Sequence, residues 1–207
     1  MPISQHNPRI YLASRSPRRR ELLTQIGVQF DTIILRNHPR EEIDEDEMPL
    51  AFEAPVDYVE RMARSKAEQG WRIVGWRKLL SQPLLAADTT VEFEGQIIGK
   101  PTEEEDAKSI LRRLSDKTHR VLTAVALAFE GRIETALSVS EVSFGVIDEA
   151  EIRRYVLSGE PMDKAGAYGI QGRAGLYVRH LAGSYTGVMG LPLHETGALL
   201  KRIGYPL

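Results

Sequence analysis

The stretch YLASRSPRRRELL, Tyr11 to Leu23, joins two periodicities. Upstream, RIYLAS (Arg9–Ser14) is a short apolar run that predicts a buried strand. Downstream, Ser16 has the side-chain acceptor of an N-cap. Pro17 sits where the missing N–H of a first helical residue costs nothing. Leu22, Leu23 and Ile26 then give one apolar helix face, and Gly27 a C-terminal stop. A strand feeding a helix through a hydroxyl-rich turn is a building unit of α/β sheets. Arg18, Arg19 and Arg20 fall in the first turn of that helix, where the dipole and the unsatisfied N–H groups are already positive. Cations belong at the other end unless an anion joins them. Successive helical residues turn by about 100°, so the three cannot share one direction. Arg18 and Arg19 are expected to face a ligand and Arg20 to face solvent. A solvated basic face is the plainer alternative, equally weighted on the run alone; its place on the helix favours an anion site.

Working outward, VQFDTIIL reads as a second strand and RNHPREEIDEDEMPLAFEAP, from Arg36 to Pro55, as an acidic loop. VDYVERMARSKAEQG carries Val56, Val59, Met62, Ala63 and Ala67 at helical spacing, with Gly70 as its expected stop. WRIVGWRKLLSQ reads as irregular or partly helical. PLLAAD is an apolar strand expected to end at Asp88, and TTVEFEGQIIGKP a hairpin turning near Glu94–Gly95. Thr102 and Glu105 have capping-box spacing ahead of the next helix. Two long strands flank Glu130–Gly131–Arg132, Asp148 caps a helix, a glycine-rich loop follows, and a last helix starts from Pro192. Helices alternate with strands, but two hairpins exclude a purely parallel sheet. The expected fold is a mixed β-sheet with helices on its faces, a single domain over residues 1–207 with residues 1–8 flexible.

The 207 residues include 42% hydrophobic and 27% charged side chains, enough for a globular core. A formal net charge of -2 and a pI of about 6.2 argue against a general nucleic-acid or anionic-membrane binder. There is no cysteine, which removes disulfides, thiolate catalysis and cysteine metal sites. No apolar run approaches the roughly 18 residues of a spanning helix, and MPISQHNPR lacks a signal-peptide core. A cytoplasmic protein is expected.

Chemistry-bearing residues cluster in four places. Ser14, Ser16, Arg18 and Arg19 offer hydroxyls, backbone N–H groups and guanidinium forks suited to phosphate. Asp88 stands at a strand position where it can activate water or hold a divalent metal; an isolated Asp there is more often a strand cap. Lys100 is a second candidate phosphate contact, although GQIIGK is not a P-loop: it is one residue short and lacks Ser/Thr after the lysine. SGEPMDKAGAYGIQG (Ser158–Gly172) supplies close-approach glycines with Lys164 and Gln171, groups suited to base or phosphate recognition. The five histidines show no metal-ligand spacing.

Together LASRSPRRRELL, YVERMARSKA, AADTTVEFEGQIIGKP and SGEPMDKAGAYGIQGRAGLYVRHLAGSYTGVMGLPL, in this order and spacing, resemble the Maf family of nucleoside triphosphate pyrophosphatases. The resemblance spans nearly the whole chain. It implies the fold of inosine triphosphate pyrophosphatases, an elongated mixed sheet with two lobes around a cleft. It implies cleavage of a nucleoside triphosphate between the α and β phosphates, assisted by Mg²⁺ or Mn²⁺, in a cytoplasmic protein that is often a dimer. By position, Asp88 matches the family's proton acceptor, and Ser14, Arg18 and Arg19 its phosphate-side loop. Lys66 and Lys100 match its other cleft lysines, and Arg18, Thr89 and Gln171 positions tied to substrate choice. DKAGAYGIQG resembles the branch that prefers dTTP and UTP over 7-methyl-GTP. The chain departs from the family at Arg15 and between Phe30 and Tyr58, where Glu41, Glu42 or Asp44 would supply an expected acidic residue. A septum regulator acting through protein contacts and a pyrophosphatase for modified nucleotides are the alternatives.

Overall fold

The structure, a computed structural model, describes residues 8–35 and 48–207. Local chemistry sets its first unit. In β1 (Arg9–Leu12) the last three side chains are buried, and α1 (Pro17–Gln25) follows with Pro17 in its first turn. The Ser16 hydroxyl accepts from the Arg19 N–H at 3.4 Å, as an N-cap should. α1 carries the chain over to β2 (Gln29–Thr32), which runs parallel to β1, the crossover that parallel pairing requires. Both strands are shorter than the apolar runs that announced them.

α2 (Pro55–Trp76) does not stop at Gly70. A Cβ there would lie 2.7 Å from Leu84 Cδ1 and 3.2 Å from the Ala13 Cβ, so the glycine lets the helix pass close to the sheet. The segment from Trp71 that reads as irregular or partly helical is helical to Trp76.

β3 (Leu84–Phe93) does not end at Asp88 either. It pairs antiparallel with β5 (Thr118–Phe129) from Leu84 opposite Ala128 to Glu92 opposite Arg120, with Asp88 opposite Ala124 and Thr89 opposite Thr123. This ladder holds polar residues in a strand whose local sequence reads as its end. β4 (Gln96–Ile98) closes the expected hairpin at Glu94–Gly95, both at positive φ. β6 (Arg132–Phe144) pairs with β5 along its length and with β7 (Val178–Ala182) at its far end. The sheet order is β2-β1-β3-β5-β6-β7, with β4 beside β3.

α3 (Glu104–Leu114) buries Ala107, Ile110, Leu111 and Leu114 on one face. The expected Thr102–Glu105 box is absent; Asp106 instead reaches back to the Thr102 N–H at 3.0 Å. α4 (Glu149–Leu157) is capped by Asp148 as expected. Three short 3-10 turns span Glu160–Asp163, Ala165–Ala167 and Arg173–Tyr177. The short α5 (Tyr185–Val188) precedes α6 (Leu193–Arg202), for which Pro192 is the flanking residue and not the first turn. Among the described residues no helix is long and apolar enough to cross a membrane.

The core has three parts. Ala86, Leu84 and the small residues of α2 pack on one face of β3; Leu85, Ala87, Leu22, Leu23 and Leu199 pack on the other. Val91 and Phe93, further along β3, join a separate cluster with α3, α4 and the aromatic residues Phe144, Tyr155, Tyr168 and Tyr177. Fully burying an aliphatic or aromatic side chain contributes about 1.5–3 kcal/mol, so β3 is anchored at both ends. Asp88 and Thr89 lie where one core stops and the next begins, the half-buried pair of an otherwise buried strand.

Candidate active site

One edge of β3 is covered in two pieces. β1 pairs with it at Leu84–Leu85, and β4 at Val91–Phe93. Between them, Ala86–Thr90 has no strand partner on that side among the described residues, and a cavity of about 430 Å³ opens there. Alternation along the strand sends Asp88 to the α2 face and Thr89 to the α1 face. The cavity takes Ser14, Arg18 and Arg19 from the β1–α1 turn, Lys66 from α2, and Lys100 from the end of the hairpin. Lys164 and Gln171 come from the glycine-rich segment. These seven, with Ser16, Asp88 and Thr89, line one cleft; Arg20 is exposed outside it. Glu41, Glu42 and Asp44 lie outside the described residues.

Arg19 is the most constrained. Its Nε donates to the Gly190 carbonyl at 2.7 Å, Nη1 to the Ser14 hydroxyl at 3.2 Å, and Nη2 to the Thr89 hydroxyl at 3.3 Å. Burial pulls its pKa below the ordinary value; the Asp88 charge opposes this and the Arg18 charge adds to it. A guanidinium stays protonated regardless, so the cleft floor holds a desolvated cation with donors to spare. Ser14 also receives the Ser16 N–H at 3.2 Å. Arg15 turns away to the Leu35 carbonyl, to which its Nη2 donates at 3.0 Å.

Lys66 Nζ lies 2.6 Å from Asp88 Oδ1, with both side chains mostly buried. Lys164 is tied back by the Glu160 carbonyl and by Asp163, each at 2.5 Å. Burial pushes the Asp163 carboxyl up, but the Lys164 hydrogen bond and the Lys164 and Arg18 charges outweigh it and hold it below the usual range. The Glu160 carboxylate accepts from Tyr155 Oη at 2.9 Å, and Tyr155 Oη accepts from the Gly169 N–H at 3.1 Å. These bonds set the loop that carries Gln171. A Cβ at Gly172 would fall 2.0 Å from Glu160 Oε1, so a larger residue there would have to displace the Glu160 carboxylate from its bond with Tyr155.

The description that fits the chain by sequence model is "Maf-like protein", matched over residues 9–203. The chain belongs to the Maf family. Similar relatives of this Maf protein are each named dTTP/UTP pyrophosphatase. That of Dechloromonas aromatica (strain RCB) is 65% identical, covering 95% of this chain and 98% of its own. That of Aromatoleum aromaticum is 59% identical over 96% and 97%, and that of Chromobacterium violaceum 50% over 99% and 100%. The solved Staphylococcus aureus Ham1 protein aligns over 66% of this chain and 71% of its own, with a TM-score of 0.43 and 14% identity, too loose a likeness to argue from.

Three cleft residues of this Maf protein were missed in the sequence: Tyr168, Asp163 and Gly190. Tyr168 carries no signal of its own in the sequence; its ring is buried, and only its neighbours in space place it on the cleft. Gly190 contributes a carbonyl, for which no side-chain signal exists, although its φ of +109° explains the glycine. Among the described residues no group of three His, Cys, Asp or Glu is placed to hold a metal ion. Asp88 on the cleft floor fits the way Mg²⁺ is commonly held, through one or two carboxylates together with substrate phosphate oxygens.

Proposed function

We propose that this Maf protein is a nucleoside triphosphate pyrophosphatase that converts dTTP and UTP with water to the monophosphate and pyrophosphate. The near-full-length identity to relatives named dTTP/UTP pyrophosphatase carries the reading. The cleft chemistry supports it. Lys66 engages one oxygen of Asp88 and keeps the carboxylate aimed into the cavity. The other oxygen is free to take a proton from a water attacking the α-phosphorus. Arg18, Arg19 and Lys100 face the polyphosphate, and their charge stabilises what develops on the departing pyrophosphate. The desolvated Arg19 binds an anion more strongly than a solvated cation would. Asp88 would hold a divalent cation, which supplies charge neutralisation at the phosphates. Gln171 offers an acceptor and donors to the imide edge shared by uracil and thymine. One methyl is discriminated by about 1–3 kcal/mol at most, which is why both bases are accepted. The proposal extends to a single-domain cytoplasmic protein acting as a homodimer, as the resemblance implies.

The test is pyrophosphate release from UTP, dTTP, ATP, GTP and 7-methyl-GTP with Mg²⁺ or Mn²⁺. UTP and dTTP are expected to lead, and Asp88→Asn to lower turnover by roughly 10²-fold or more. Equal use of ATP or 7-methyl-GTP would remove the pyrimidine assignment. Undiminished turnover in Asp88→Asn would remove the assignment of the base.

A further inference from the structure

Thr123 lies on β5 directly opposite Thr89 and is fully buried. Its hydroxyl donates to the Gly187 carbonyl at 2.8 Å, and that carbonyl also accepts the Gly190 N–H at 2.9 Å. A carbonyl only accepts, so the one proton of Thr123 is committed there. The Thr89 and Thr123 hydroxyl oxygens are 3.0 Å apart. Thr89 must therefore donate in this pair. Arg19 Nη2 reaches Thr89 Oγ1 at 3.3 Å and can only donate, which occupies one Thr89 lone pair. The Thr89 proton points to Thr123, one lone pair points to Arg19, and what remains toward the cleft is a single acceptor.

We propose that Thr123 is a positioning residue that fixes Thr89 as a hydrogen-bond acceptor toward the cleft, where it receives a donor of the bound nucleotide. This rests on the pyrophosphatase reading for the identity of that nucleotide. Phosphate oxygens are acceptors and are disfavoured beside such a group. dTTP and UTP share two donors, the imide N3–H and the 3′-hydroxyl; the 2′-hydroxyl is absent from dTTP. A hydroxyl free to rotate would accept a donor or an acceptor alike. One whose proton is already taken discriminates, because a ligand presenting a lone pair there gains no bond and loses its water.

The test measures affinity by titration calorimetry, so that it does not depend on turnover. The probes are the non-hydrolysable α,β-imido form of dTTP, its 3′-deoxy form and its N3-methyl form. Unaltered protein is expected to bind the parent about tenfold more tightly than the one analogue that lacks the donor Thr89 receives. Thr123→Val keeps the volume and frees the Thr89 proton. It should shrink that advantage, because the freed hydroxyl must first turn its proton aside to accept, and leave the other analogue's ratio to the parent unchanged. Thr123→Ser, which keeps the hydroxyl, should restore it. Should Thr123→Val not fold, Thr89→Val must erase the same advantage. The proposal is overturned if neither analogue binds more weakly than the parent. It also fails if Thr123→Val weakens all three alike or none, if Thr123→Ser behaves as the valine does, or if Thr89→Val keeps the advantage. Pyrophosphate release by the unaltered protein is scored separately. Its absence alongside an intact binding pattern would sink the pyrophosphatase reading and leave the inference standing.

Discussion

Replacing Arg19 by lysine keeps the charge and removes the fork. Of the five guanidinium N–H groups, three are engaged by Gly190, Ser14 and Thr89, which leaves two for a ligand. A lysine is a single ammonium on a flexible stem and cannot hold those three partners while presenting two further donors to a phosphate. Hydrogen bonds to charged groups are worth about 1.5–3 kcal/mol each. Losing two costs about 3 kcal/mol of transition-state stabilisation, or roughly 10²-fold in kcat/KM. The assay is initial-rate pyrophosphate release from UTP and dTTP, with a thermal melt to show that the variant folds. Arg20→Lys is the control, since its side chain is exposed outside the cleft, and its rate should stay within about twofold of the unaltered protein. If Arg19→Lys retains its kcat/KM to within about threefold, or loses no more than Arg20→Lys, the fork is not used and the geometric reasoning is wrong.

Three other outcomes are expected. Gln171→Ala should lower kcat/KM for UTP and narrow its advantage over ATP; an unchanged UTP-to-ATP ratio would detach Gln171 from base choice. Burial pulls the His119 imidazole from 6.5 down to about 4, so between those values the unfolded chain binds a proton that the folded one does not. That stability is whole above pH 6.5 and falls as pH drops, by about 3 kcal/mol near pH 4; His119→Gln should flatten the melting-temperature slope between pH 7 and 5, and an equal slope would clear His119 of it. Within α2, Gly70→Ala should destabilise, because overpacking against buried Leu84 costs about 1–3 kcal/mol and outweighs a helix-propensity gain of about 1 kcal/mol, whereas Gly75→Ala, with nothing within 4 Å, should stabilise; melting temperatures that move in the same direction would contradict the steric account.

What was legible in the sequence was local. The Ser16–Pro17 start of α1, the turn at Glu94–Gly95 and the Asp148 cap are decided within a few residues. The misread boundaries of β3 and α2 depend on distant partners. The apolar run reads as ending at Asp88, with Thr89 and Thr90 opening a separate hairpin; β5 holds all three in one ladder instead. Gly70 reads as a stop until Leu84 is seen against it. At the start of α3, Asp106 competes successfully for the role given to Glu105. The cleft cations were visible as misplaced charge and by family resemblance. Tyr168 and the Gly190 carbonyl were invisible because neither departs from what packing and turns require.

The floor of the cleft has a mechanical consequence. β3 and β5 run unbroken beneath it, registered from Leu84 to Glu92, and β6 continues the same ladder from Arg132 to Ser143. Swinging the two ends of the molecule together would shear these ladders at their middle, where Asp88 and Thr89 sit. Adjustment to a nucleotide is thereby confined to what overhangs the floor: the β1–α1 turn and the glycine-rich segment. Such a site tells ligands apart as a gauge does, by a fixed spacing between its jaws. New selectivity can then arise by reshaping the overhang, with the strands that carry Asp88 left untouched.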